Sequence, residues 1–249
     1  MYAADNNEVL PPNDLFAGAN PPGSIPQIKP GFSFAWVCGA MDDTATAGCQ
    51  ATNSALLTDA GHTALAKYAK SAAIYHCPAD TSQALTPGVG QRVRSVSMNS
   101  LVGTLYNQSL TGFPFGGPLW GGFADGGGWS QTASKYWVAF GKLGTIKNPS
   151  SIFVVVDENP FSINDARFEV SMGQVAADGT INYSSNIIDT PASYHNGAVT
   201  ISFADGHSEI HRWLGTAIKN SANAASGNYP AGDSLQDLRW LQARTTVPK

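Results

Sequence analysis

The chain has 249 residues, of which 43% are hydrophobic and only 13% charged, and its formal net charge is −4. Such a length spans one elaborated domain or two small ones and suffices for a sizeable core. The mild acidity and the scattered Lys and Arg exclude a nucleic-acid footprint and a polybasic membrane patch, and an aromatic content of 10% excludes a disordered chain.

With 26 Gly and 15 Pro, the sequence reads as loop-rich rather than as a helical bundle. Residues 1–35 carry Pro11-Pro12 and Pro21-Pro22 and read as an extended segment laid over a surface. Cys38 and Cys49 flank a short polar loop. Closing it as a disulfide stabilises by roughly 2–3 kcal/mol if the geometry allows, the alternative being two free buried thiols. Leu56, Leu57, Leu65, Tyr68 and Ala72 recur at helical spacing, and 63–70 is the best internal helix, with Thr63 or Asp59 as N-cap. Cys77 is left unpaired in an odd count of three, and the lack of a Cys-X2-Cys pair argues against a structural zinc site.

Alternation marks strands at 92–98, 136–140, 152–156 and 168–172. Among them, 103–134 is dominated by Gly, Trp and Phe, a loop length that is unusual in a compact domain and often functional. The clearest element is a β-hairpin over 195–213, in which two alternating runs meet at Asp205-Gly206 in a two-residue type I′ turn. In that register Val199, Ile201 and Phe203 share an apolar face with Ser208, Ile210 and Arg212. Thr200, Ser202, His207, Glu209 and His211 form the wet face. A short helix is expected over 234–243, where Leu235, Leu238 and Leu241 recur three apart.

His195 followed after nine residues by Asp205-Gly206 resembles the signature of the prepilin-type processing-associated His-X9-Asp-Gly family, whose members are similar to type II secretion pseudopilins and type IV pilins. Tyr2-Ala3-Ala4-Asp5-Asn6-Asn7, Leu10-Pro11-Pro12, Cys77-Pro78-Ala79-Asp80, Arg94-Ser95-Val96-Ser97-Met98-Asn99 and Val156-Asp157-Glu158 resemble that family's landmarks in its own order. The likeness therefore runs through nearly the whole chain. It implies an exported globular domain, periplasmic or on the cell surface, whose precursor is held in the inner membrane by an apolar N-terminal helix. It implies other pilin-like subunits or secretion-system components as partners. The fold expected is α+β, a pilin-like globular domain over 1–249 with a mainly antiparallel sheet, long Gly/aromatic-rich loops and few short helices. Met1-Tyr2 begins where the anchor helix would be ending; Met1 is then internal to a longer precursor, and the preceding part is expected to hold the partner of Cys77.

Ten residues of extended chain place His195 and Asp205 roughly 33 Å apart, so His195, Asp205 and Gly206 read as a structural motif, a turn at each end of a strand. Asp157 and Glu158 end an apolar run and, with Asp165 in the Asn164-Asp165 turn, offer oxygen ligands for calcium. Major pseudopilins hold calcium in a C-terminal loop, which the resemblance brings to bear here; hydrogen bonds to loop amides are the alternative. As an acid–base pair for glycoside hydrolysis Asp157 and Glu158 are poorly disposed, because adjacent strand residues point to opposite faces. Trp120, Phe123 and Trp129 suit a sugar-stacking or protein-docking surface, or else cover the sheet as a secondary core. The chain is therefore expected to be a non-enzymatic structural or pseudopilin-like component. A carbohydrate- or protein-binding module on the same scaffold is the alternative, and a hydrolase built on Asp157 and Glu158 the third reading.

Overall fold

The computed structural model describes residues 2–13, 35–37, 39, 41, 50–60, 63–83, 90–103, 124–126 and 134–249. Cys38 and Cys49, and with them the expected disulfide, lie outside the described residues, as do Trp120, Phe123 and Trp129.

The strands among the described residues are β1 Val96–Asn99, β2 Phe153–Asp157, β3 Arg167–Phe168, β4 Gly173–Val175, β5 Ile181–Tyr183, β6 Asn186–Ile187, β7 Ala198–Phe203, β8 Ser208–Arg212 and β9 Tyr229–Pro230. Five of them form one sheet in the order β3-β1-β2-β7-β8, antiparallel throughout except for the parallel pairing of β1 with β3. β4 pairs with β5 and β6 with β9 in two small ribbons. The α-helices among the described residues are short, namely Tyr2–Asp5, Ala55–Thr58, Ser221–Ser226 and Leu235–Gln242. The architecture is thus α+β, mostly strands with few short helices. None of these helices is long and apolar enough to cross a membrane.

The alternation that predicts the strands also divides the sheet into two unlike faces. On one face Phe153, Val156, Val199, Ile201 and Phe203 join Phe168, Trp213, Leu238 and Leu241 in the main core. The helix Leu235–Gln242 closes this core, and its Asp237 carboxylate accepts from the amides of Leu214 and Gly215 at 2.9 and 2.8 Å. On the other face a second cluster, with Trp36, Tyr75, Met98 and Ile152, covers only part of the sheet. Trp36, Trp137 and Trp213 are each buried with the indole N–H donated to a carbonyl, of Ala166 at 3.0 Å, Gly173 at 2.7 Å and Ala192 at 2.9 Å, so none of these three donors is lost to burial.

Three expectations are corrected. The stretch 63–70 is a run of turns. Trp36 and Ala35 compete for its backbone: the Ala35 carbonyl accepts from the Ala64 amide at 3.1 Å and the Trp36 carbonyl from the Thr63 hydroxyl. Asp59 is the C-cap of Ala55–Thr58 rather than an N-cap. The described part of 1–35 is not merely laid on a surface, since Tyr2–Asp5 is a helical turn and both Leu10 and Asn13 are buried.

The third correction concerns the hairpin. Val199 pairs with His211, Ile201 with Glu209 and Ser202 with Ser208, one residue away from the expected register. Gly206 has φ +94°, whereas Asp205 is absent from the positive-φ residues, so Ala204-Asp205-Gly206 forms a three-residue loop instead of a type I′ turn. That shift exchanges the faces of β8: Ile210 becomes 67% exposed, while His211 stacks on Trp240 at 3.5 Å between centroids. The type I′ signal belongs instead to His195-Asn196-Gly197-Ala198, where φ is +54° at Asn196 and +81° at Gly197 and the amides and carbonyls of His195 and Ala198 are bonded to each other.

Candidate functional site

β2 ends at Asp157 beside the start of β1, with Asp157 opposite Val96, and its neighbour on the other side is β7. The Asn196-Gly197 turn that launches β7 carries His195 to this same end of the sheet. Cys77 arrives there from the 3-10 turn Ala72–Tyr75, whose Tyr75 is anchored in the second core cluster. The result is a three-residue constellation. Cys77 Sγ lies 3.5 Å from His195 Nε2, and a sulfur, an imidazole nitrogen and a carboxylate oxygen from Cys77, His195 and Asp157 all lie within 4.8 Å of one another.

Each member is held by the sequence around it. The Ser95 hydroxyl oxygen accepts from the Cys77 amide at 2.7 Å and the same hydroxyl reaches Asp157 Oδ1 at 3.5 Å. The Cys77 carbonyl accepts from the Asp80 amide at 2.9 Å, which closes a turn around Pro78-Ala79. Tyr194, next to His195, donates its hydroxyl to the Glu158 carbonyl at 3.0 Å. The chain leading into His195 is thereby fixed to the residue that follows Asp157.

Burial dominates the electrostatics. It pushes the Asp157 carboxyl up to about 6, against the opposing pull of His195, Ser95, Thr200 and Cys77. Burial also raises the Cys77 thiol, and the charges of Asp157 and Asp80 raise it further, beyond what backbone hydrogen bonds from Ala79 and Asp80 take back. A thiol raised in this way lacks the thiolate character of a cysteine nucleophile. The Tyr194 phenol is likewise driven up by burial and by Asp80 and Asp157.

Asp157 opens onto an apolar groove of 340 Å³ on the partly covered face of the sheet, walled by Val96, Met98, Val155 and Thr200 on the strands and by Trp36, Leu65 and Tyr75 opposite them. The groove therefore leads from the constellation along the sheet toward Ser202 and Ser208.

The three residues expected to hold calcium do not converge as one group of donors, although Asp165 lies near enough to Glu158 to raise its carboxyl. Asp157 faces Cys77 and His195, whereas Glu158 is fully buried with its Oε1 accepting from the Ser162 hydroxyl at 2.9 Å. Asp165 Oδ1 accepts from the Arg167 amide at 2.7 Å. Among the described residues, the group of three or more Cys, His, Asp or Glu donor atoms that converges is Cys77, Asp157 and His195. His195 and Asp205 stand at opposite ends of β7, and Asp205 Oδ1 bonds His207 Nδ1 at 2.6 Å within the loop. Sequence reasoning singled out Cys77, Asp157 and His195 separately and did not join them, because they are brought together only by strand pairing. Comparison with known proteins finds no matching family model, no matching curated protein and no matching solved structure.

Proposed function

We propose that the chain is the exported globular part of a pilin-like or pseudopilin-like component of a secretion or pilus-like system, working by assembly rather than by catalysis. The observation that carries this reading is the second face of the five-stranded sheet, which the described residues cover only in part. There, among the described residues, an apolar groove of 340 Å³ and, on β8, an Ile210 that is 67% exposed present apolar surface to a packing partner. A pilin-like subunit packs its sheet against apolar helix, and this face suits that use. The resemblance adds support, because its landmarks occupy positions that organise this sheet: Asn99 ends β1, Asp157 ends β2, and His195 and Asp205-Gly206 bracket β7. The hydrolase alternative gains no support, since Asp157 and Glu158 address different neighbours and Cys77 carries a raised thiol.

Photo-crosslinking in the native host tests the proposal. A photoreactive side chain at Ile210 is expected to capture a second copy of the chain or another pilin-like subunit, in a fraction outside the cytosol. Recovery of uncrosslinked cytosolic monomer alone would overturn it.

A further inference from the structure

The Cys77, Asp157 and His195 constellation has a stereochemistry beyond the assembly reading and independent of it. In a tetrahedral zinc site, bonds of about 2.3 Å to sulfur and about 2.05 Å to nitrogen set those two ligand atoms about 3.5 Å apart. The Cys77 Sγ to His195 Nε2 separation is 3.5 Å, and the Asp157 carboxylate stands within 4.8 Å of both. A thiolate, an imidazole and a carboxylate are the three donor types that such an ion takes, whereas calcium and magnesium select oxygen alone and are rejected by the sulfur.

The geometry points to Cys77, Asp157 and His195 as the three protein ligands of a divalent transition ion of the zinc class, with the remaining position facing the apolar groove. Asp157 is both a member of the constellation and part of the groove wall, so the groove reaches the constellation at this carboxylate. The ligand set is also supported from behind. Ser95 fixes the Cys77 backbone and contacts Asp157, and the Asn196-Gly197 turn fixes the His195 backbone. Partners of this kind orient ligands and set affinity. No short Cys-rich spacing announces the site, because its donors lie as far as 118 residues apart in the chain.

The test uses reduced, chelator-stripped full chain titrated with Co²⁺ as a spectroscopic probe. Expected are one equivalent of binding, a near-ultraviolet thiolate-to-cobalt charge-transfer band, intense tetrahedral d–d bands, displacement by Zn²⁺ and none by Ca²⁺. Cys77→Ser abolishes the charge-transfer band, and His195→Gln and Asp157→Asn each weaken binding at least tenfold. Ser95→Ala, which leaves all three ligands in place, weakens it by about 10-fold to 100-fold. Circular dichroism of each variant establishes that it is folded; if Cys77→Ser is not, the His195→Gln and Ser95→Ala titrations decide. Absence of a stoichiometric band in the wild type overturns the site, and so does a band that survives in Cys77→Ser, since Cys38 and Cys49 remain there to produce it. Failure of the crosslinking experiment leaves these spectra untouched, and the reverse holds as well.

Discussion

At the scale of single residues, several landmarks of the sequence act as distributors of hydrogen bonds inside the core. Asn99 is fully buried. Its side-chain amide donates to the carbonyls of Phe153 and Thr245, both at 2.9 Å, and its Oδ1 accepts from the Leu101 amide at 3.0 Å. One side chain thus ties β1 to β2 and to the C-terminal segment. Replacing it with alanine leaves two carbonyls and one amide dry, and each such group costs about 1–3 kcal/mol. Asn99→Ala is expected to lose about 3 kcal/mol or more in urea unfolding with an unchanged m value; a loss below about 1 kcal/mol would show that water enters and replaces the amide. Asn13 does similar work, donating to the carbonyls of Asn99 and Val102 at 2.9 and 3.1 Å, though nothing in the residues around it signals this in the sequence. The same limit governs the candidate site. Cys77 read as an unpaired thiol whose partner lies outside this chain, His195 as a turn residue and Asp157 as a calcium ligand. Their meeting depends on how β1, β2 and β7 align, which local context does not specify.

At the scale of elements, the strands with clear two-residue alternation were legible, and their partners and registers were not. Alternation finds β2, β7 and β8, because side-chain direction is a local property of extended chain. The register of β7 against β8 depends on a single loop residue, and Asp-Gly serves a three-residue loop as well as a two-residue one. The run 136–140 shows the other side of this: it is extended, yet its bridges are isolated, from Trp137 to Pro248 and from Phe140 to Val102. The hairpin register is testable by two substitutions. Ile201 is fully buried and Ile210 is 67% exposed. Ile201→Ala is therefore expected to cost about 2–5 kcal/mol and Ile210→Ala within about 0.5 kcal/mol of nothing. In the two-residue register the two positions would be cross-strand neighbours on the core face and would cost alike, so equal losses by urea unfolding would refute the observed pairing. An added Cβ at Gly206 meets nothing within 4 Å, so Gly206→Ala costs only its left-handed backbone, about 1–2 kcal/mol.

For the molecule as a whole, the acids beneath the sheet set how stability responds to pH. Glu158 is fully buried, and that burial pushes its carboxyl from 4.5 up to about 8, with Asp165 adding to the rise and Ser97, Ser162 and Arg94 opposing it. Burial also raises Glu169, against the pull of Arg167, with which it is paired. An acid raised on folding holds its proton more tightly in the folded state than in the unfolded one. Its contribution is complete below the unfolded value and is lost as pH climbs toward the folded value, which for Glu158 means between about pH 4.5 and pH 8. Asp178, Asp205 and Asp233 act with the opposite sign. Hydrogen bonds from the Thr180 amide, from His207 and from Thr216 hold these three below the usual range, so their contribution is present at neutral pH and lost in acid. The two groups together predict a stability maximum near pH 4, with the urea midpoint falling on either side when measured in chelator. Each raised acid contributes a slope of up to about 1.4 kcal/mol per pH unit on the alkaline limb. Glu158→Gln keeps the acceptor for Ser162 but removes one titration, so it is expected to make the alkaline limb less steep, with Asp157, Asp165 and Glu169 still contributing to it, and to leave the acid limb in place. A midpoint that climbs steadily from pH 5 to pH 8 in the wild type would mean that these carboxylates are ionised and compensated inside the fold, and the buried-acid account would then fail.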